Sequence, residues 1–149
     1  MIEPGHAQAL AERLHEGACE RDGTPLLRHV ERVARAVTGD ARVVAWLHEV
    51  FEWSEITEQQ LIQEGVSEDE LGAIRLLTRT SGPDDDAYFA YMDLIARAPG
   101  GSGSLAREVK LADLEDRQLH PSARDDRWLP PYTRALSLLR GAIEEGSSR

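Results

Sequence analysis

The chain has 149 residues, 41% of them hydrophobic, a formal net charge of −10 and a single cysteine, Cys19. That length and apolar content suit one domain that buries its core without cross-links, and a lone cysteine excludes an intrachain disulfide scaffold and fits a reducing cytoplasm. The acidic balance excludes a broad nucleic-acid surface, which needs clustered Lys and Arg, but leaves room for a small phosphorylated partner whose charge a metal ion and a few local cations offset.

In chain order, nearly every segment reads as helix. Residues 7–20 place Ala7, Leu10, Ala11, Leu14 and Ala18 at three-to-four spacing, one apolar stripe. Asp22-Gly23-Thr24-Pro25 breaks the chain, with Thr24 placed to cap the next helix and Pro25 suited to its first position. The helix expected over 25–37 turns Leu26, Val30, Val33, Ala34 and Val37 inward, with His29 beside that stripe. Thr38-Gly39-Asp40 then ends it and opens the helix carrying Ala45-Trp46-Leu47-His48-Glu49-Val50-Phe51-Glu52-Trp53, where Trp53 reads as a packing residue. Thr57 with Gln60, and Ser67 with Glu70, have the spacing of capping boxes, separated by a stop at Gly65.

Ser81-Gly82-Pro83 reads as a turn leading three aspartates, Asp84 to Asp86, into a helix N-terminus, where the helix dipole favours them. Tyr88, Tyr91, Met92 and Ile95 form the next stripe. Residues 99–104, rich in Gly and Ser, read as a flexible loop. A helix follows over 105–119, then an irregular stretch over 120–130, a last helix opened by Pro131, and a frayed tail at 146–149. No strand signal and no internal repeat stands out, so the expectation is an all-α single domain of about six to eight helices, its core about 7–145. Without an apolar run of about 18 residues or a signal-peptide pattern at the start, a cytoplasmic chain with no membrane partner is expected. Cys19 reads as a small buried or half-buried thiol, and His6, His15 and His120 as surface residues.

Some polar residues interrupt the apolar pattern. Burying His48, Glu49 and Glu52 beside Trp46, Leu47, Val50 and Phe51 costs several kcal/mol unless they find partners or a cation. His48 and Glu52 lie four apart on one helical face. His29 precedes them, and Asp113 follows within Val109-Lys110-Leu111-Ala112-Asp113. Short helical connections make antiparallel neighbours that bring such residues together. Two imidazoles and two carboxylates suit Mn²⁺, Fe²⁺ or Mg²⁺ better than a thiolate-preferring ion. The zinc-protease pattern fails, because it needs a histidine where Glu52 stands. An amphipathic helix with a wet edge is the simpler alternative. Lys110 and Arg117, three before and four after Asp113, are placed to pair with carboxylates or to reach a phosphate.

The ordered set Gly23-Thr24-Pro25-Leu26-Leu27-Arg28-His29, Leu47-His48-Glu49-Val50-Phe51-Glu52, Leu76-Leu77-Thr78-Arg79 and Val109-Lys110-Leu111-Ala112-Asp113 resembles the HD-domain phosphohydrolases. Within them it looks most like the hydrolase domain of the bacterial alarmone (guanosine polyphosphate) enzymes and their small stand-alone relatives. The resemblance spans roughly residues 10–118 and implies an HD-like helical fold. It also implies a divalent metal of the Mn²⁺ type on His29, His48, Glu49 and Asp113, with Glu52 as the catalytic acid or base. Arg21, Lys110 and Arg117 would be the substrate-binding cations, and the substrate a nucleotide or related phosphorylated small molecule. The chain departs from that branch at Glu49 (usually Asp), Trp53 (a second acid), Arg117 (often Asn) and Glu20 (commonly a cation). A metal-dependent phosphohydrolase is the expected function. The alternative is a shell that binds a nucleotide or metal, or serves as an interaction protein, without turnover. The sequence carries no expectation about oligomeric state.

Overall fold

Caps and glycines divide this chain into helices. The computed structural model describes residues 1–20, 22–79, 84–120 and 129–147. Helical segments among them are α1 (Pro4–Leu14), α2 (Leu26–Ala36), α3 (Ala41–Leu47), α4 (Val50–Trp53), α5 (Glu58–Gln63), α6 (Glu68–Leu77), α7 (Asp85–Arg97), α8 (Gly100–Leu119) and α9 (Leu129–Ser147). The single-turn α4 continues the path of α3 after a break at His48 and Glu49, so the expected all-α domain is the one found.

Both capping boxes are complete: Thr57 and Gln60 start α5, and Ser67 and Glu70 start α6. Asp84 caps α7 by accepting the Ala87 N–H at 2.7 Å. Gly65, at φ 100°, turns the chain between α5 and α6, and its carbonyl accepts the Ile2 N–H at 3.0 Å. A β-carbon there would be strained by the backbone angle and crowd Ile2 N at 3.1 Å. Thr24 does not cap α2. Its own N–H donates to Asp22 Oδ1 at 2.9 Å, and Pro25 is the residue that precedes the helix.

The central element is α8, on which α2, α3, α6, α7 and α9 all pack. Its first half buries Gly103, Ala106 and Val109, whereas its second half buries Asp113, Asp116 and Arg117 beside Leu114. Leu26, Val30, Val33, Leu47, Ile74, Met92, Ile95 and Leu139 surround it as a continuous core. Each such side chain contributes about 1.5–3 kcal/mol by leaving water. This apolar support fixes where the charged half of α8 stands.

Several expectations need correction. Residues 100–104 are not a flexible loop but the first turns of α8. Their glycines permit close packing: a β-carbon on Gly103 would run into the Ala98 carbonyl, and one on Gly101 into the Asp69 carboxylate. His15 is buried, 1% exposed, because as the C-cap of α1 it continues the buried face of Ala7 and Ala11. Cys19 is exposed rather than buried or half-buried, because it lies past the end of α1. Trp53 packs half-buried against the core, as expected. Arg21, the turn at 81–83 and the irregular stretch at 121–128 lie outside the described residues. Among the described residues, no helix is long and apolar enough to cross a membrane.

Candidate metal centre

Three elements converge on one buried cluster. The apolar run of α3 is so deeply packed that the break after Leu47 turns His48 and Glu49 into the interior. From α2 comes His29, and from α8 comes Asp113. His29, His48, Glu49 and Asp113 are 2%, 4%, 6% and 2% exposed, and one ligand atom from each lies within 4.8 Å of the others. Adjacent ligands about 2.1 Å from an octahedral ion stand about 3.0 Å apart and opposite ones about 4.2 Å, so this spread is one that an ion closes with small movements.

The imidazoles are oriented for that purpose. His29 Nδ1–H donates to Asp116 Oδ2 at 2.7 Å, and His48 Nδ1–H donates to the Ala45 carbonyl at 2.6 Å. Both acceptors require the proton on Nδ1, which leaves each Nε2 pointing at the cluster. Neither Nε2 has a hydrogen-bond partner. His29 Nε2 lies 2.7 Å from Asp113 Oδ1 but is not aligned to bond it, and His48 Nε2 lies 3.4 Å from Glu49 Oε1. Two orphaned buried nitrogens facing two carboxylates fit a divalent cation.

Nearby cations offset the carboxylates. Lys110 Nζ sits 2.9 Å from Asp113 Oδ2 and over the Tyr91 ring at 5.3 Å. Arg117 reaches Asp113 Oδ1 through Nε at 3.1 Å and Glu49 Oε1 through Nη2 at 3.4 Å. Burial alone would push the Asp113 carboxyl up, but Lys110 and Arg117 hold it well below the usual carboxylate range. Glu49 is likewise lowered, because His48 and Arg117 outweigh its burial. Burial would lower the His29 pKa, yet Asp113 and Asp116 together raise it to about 9. Without an ion, the cluster is held by its own charges.

A cavity of about 120 Å³ opens beside the cluster, bounded by Glu52, Arg79, Tyr88 and Lys110. Glu52, on α4, accepts the Arg79 N–H at 3.0 Å. The residue keeps solvent access at the pocket mouth, but desolvation of its carboxylate, then the charge of Glu49, raises its pKa. A larger groove of about 400 Å³ between α6 and α7, along Gly72, Leu76 and Leu94, is apolar and brings no imidazole or carboxylate together.

Of the residues expected at a site, His29, His48, Glu49, Glu52, Lys110, Asp113 and Arg117 are brought together, and Arg21 lies outside the described residues. Sequence reasoning missed Asp116, which holds His29 and is itself gripped by Arg32 at 2.6 and 3.1 Å. Its signal was its position three after Asp113, on the same face. It also missed the burial of His15, which lowers its pKa against the opposing charge of Glu49. The signal there was the step of four from Ala7 to Ala11 to His15. Glu20, where the resemblance leads one to expect a cation, lies 3.6 Å from Arg117 Nη1.

No protein-family model matches the chain, and no curated protein matches it in sequence. Among solved structures it is similar to one described as a metazoan ortholog of SpoT that hydrolyzes ppGpp and plays a role in starvation responses. The two share 21% identity and a TM-score of 0.76, over 95% of this chain and 88% of that one. The all-α, HD-like fold expected from the sequence is therefore the fold of this chain.

Proposed function

We propose that this chain is a metal-dependent phosphohydrolase acting on a nucleotide or a related phosphorylated small molecule. The observation that carries this reading is the set of four buried ligands within 4.8 Å, with both imidazole Nε2 atoms left without a hydrogen-bond partner. The fold shared with a protein described as hydrolysing ppGpp supports it. His29, His48, Glu49 and Asp113 would hold the ion, and their mixed nitrogen and oxygen donors favour Mn²⁺, with Fe²⁺ and Mg²⁺ also matched. When bound, such an ion neutralises phosphoryl charge and acidifies water near neutral pH.

The chain's own groups supply the remainder. Asp116 and the Ala45 carbonyl keep each imidazole in one tautomer. Glu52, steadied by the Arg79 amide, stands at the cavity to take a proton from water as it attacks phosphorus and the P–O bond to the leaving group breaks. Its raised pKa suits that exchange. Lys110 and Arg117 face the same cavity and are placed to meet phosphate oxygens. The net charge of −10 favours a small anion drawn by these local cations over a nucleic acid, and the unpaired Cys19 suits a reducing cytoplasm.

The test is release of phosphate or pyrophosphate from nucleotides and simple phosphate esters by Mn²⁺-loaded protein, beside His48→Ala. Turnover that is lost in His48→Ala and on chelation is expected. If both proteins fold and are equally inactive across the panel, the hydrolase reading is lost. A second reading, a module that binds nucleotide without turnover, draws on the Arg117 guanidinium held between Glu49 and Asp113. Nucleotide binding by calorimetry with no product release would select it.

A further inference from the structure

Arg117 lies one turn after Asp113 on α8 and is buried. Three of its contacts are carboxylates: Asp113 Oδ1 at 3.1 Å, Glu49 Oε1 at 3.4 Å and Glu20 Oε1 at 3.6 Å. The first two oxygens are the ones that face the orphaned imidazole nitrogens, Asp113 Oδ1 at 2.7 Å from His29 Nε2 and Glu49 Oε1 at 3.4 Å from His48 Nε2. A guanidinium and a divalent ion therefore draw on the same two atoms. Charge gives the same result. Glu49 and Asp113 bring two negative charges, and Lys110 and Arg117 already pair with them, so both carboxylates have cationic partners before any ion enters. An arriving dication adds charge beside these pairs, with the Glu52, Glu20 and Asp116 carboxylates at the edge of the set.

We propose that Arg117 is a resident cation that holds the ligand set together without metal and competes with the metal for it. Metal occupancy is then graded by the free ion concentration rather than permanent, and the guanidinium released from Glu49 and Asp113 stays tethered to Glu20 at the cavity. This rests on the metal-centre reading above. A purely orienting role for Arg117 makes the opposite prediction, because an arginine that merely aims Asp113 at the ion would strengthen metal binding.

Calorimetric titration of the metal-free full chain with Mn²⁺ separates the two, using wild type, Arg117→Gln, Arg117→Lys and His48→Ala. Removing a full positive charge a few ångströms from the ligands is expected to tighten Mn²⁺ binding by roughly tenfold or more in Arg117→Gln. Arg117→Lys, which keeps the charge, should stay near wild type, and His48→Ala should bind weakly or not at all. Equal or weaker binding by Arg117→Gln, with wild type binding, overturns the proposal and leaves the metal centre standing. Absence of binding in both wild type and Arg117→Gln overturns the proposal and the metal centre together. Should Arg117→Gln fail to fold without metal, Mn²⁺ must restore its helical circular dichroism. Failure to do so also overturns the proposal.

Discussion

Replacing Asp116 by Asn removes one negative charge with almost no change in volume. In the wild type that carboxylate accepts the His29 Nδ1–H at 2.7 Å and two Arg32 bonds at 2.6 and 3.1 Å. Bonds of this charge-assisted kind contribute about 1.5–3 kcal/mol each where buried. The Arg32 side chain is partly exposed and regains water, so the net loss of folding stability should fall near the low end, about 1–2 kcal/mol. For a chain of this size that is a fall in Tm of roughly 2–8 °C. The larger effect belongs to the metal: loss of a partner that fixes a ligating histidine weakens binding by about 10–100-fold, or about 1.4–2.7 kcal/mol. Mn²⁺ titration at neutral pH, beside a thermal melt of the metal-free protein, measures both. A folded Asp116→Asn protein with wild-type Mn²⁺ affinity would refute the claim that Asp116 orients a metal ligand.

Other expectations follow from the same geometry. Because His29 is raised from 6.5 to about 9 in the metal-free protein, its protonated form contributes stability that is fully present below about 6.5 and is lost as pH rises through about 9. Metal-free melts should fall across that window while Mn²⁺ affinity rises, since the ion must displace the proton; flat profiles would count against it. Glu52→Gln should cut turnover by about 10²–10⁴-fold at unchanged Mn²⁺ affinity. A parallel loss of affinity would make Glu52 a ligand instead. Gly103→Ala should destabilise by about 1–3 kcal/mol through collision with the Ala98 carbonyl, read by a denaturant melt, and an unchanged midpoint would mean that the start of α8 is loose.

The site was legible where identity and order carried it. His29, His48, Glu49 and Asp113 stand out because a histidine or carboxylate inside an apolar pattern demands a partner. Helix starts at Thr57 and Ser67 were legible because capping is a local contest between side chain and backbone, settled within four residues. Tertiary packing decided the rest. Nothing local distinguishes a Gly-rich linker from a Gly-rich helix start, and the approach of the Asp69 carboxylate and the Ala98 carbonyl to Gly101 and Gly103 leaves no room for a β-carbon there. His15 looked like a surface residue because a lone histidine at a helix end is polar, although it continues the buried Ala7 and Ala11 positions by one more turn. Arg117 was legible as a cation near Asp113. That it also spans Glu49 and Glu20, from two other segments, was not.

The central claim is that His29, His48, Glu49 and Asp113 hold one divalent ion. Anomalous diffraction from crystals grown with Mn²⁺ tests it directly. The account predicts a single strong peak about 2.0–2.4 Å from His29 Nε2, His48 Nε2 and one oxygen each of Glu49 and Asp113. No peak at that cluster in saturating Mn²⁺, or a peak ligated by other residues, would contradict it.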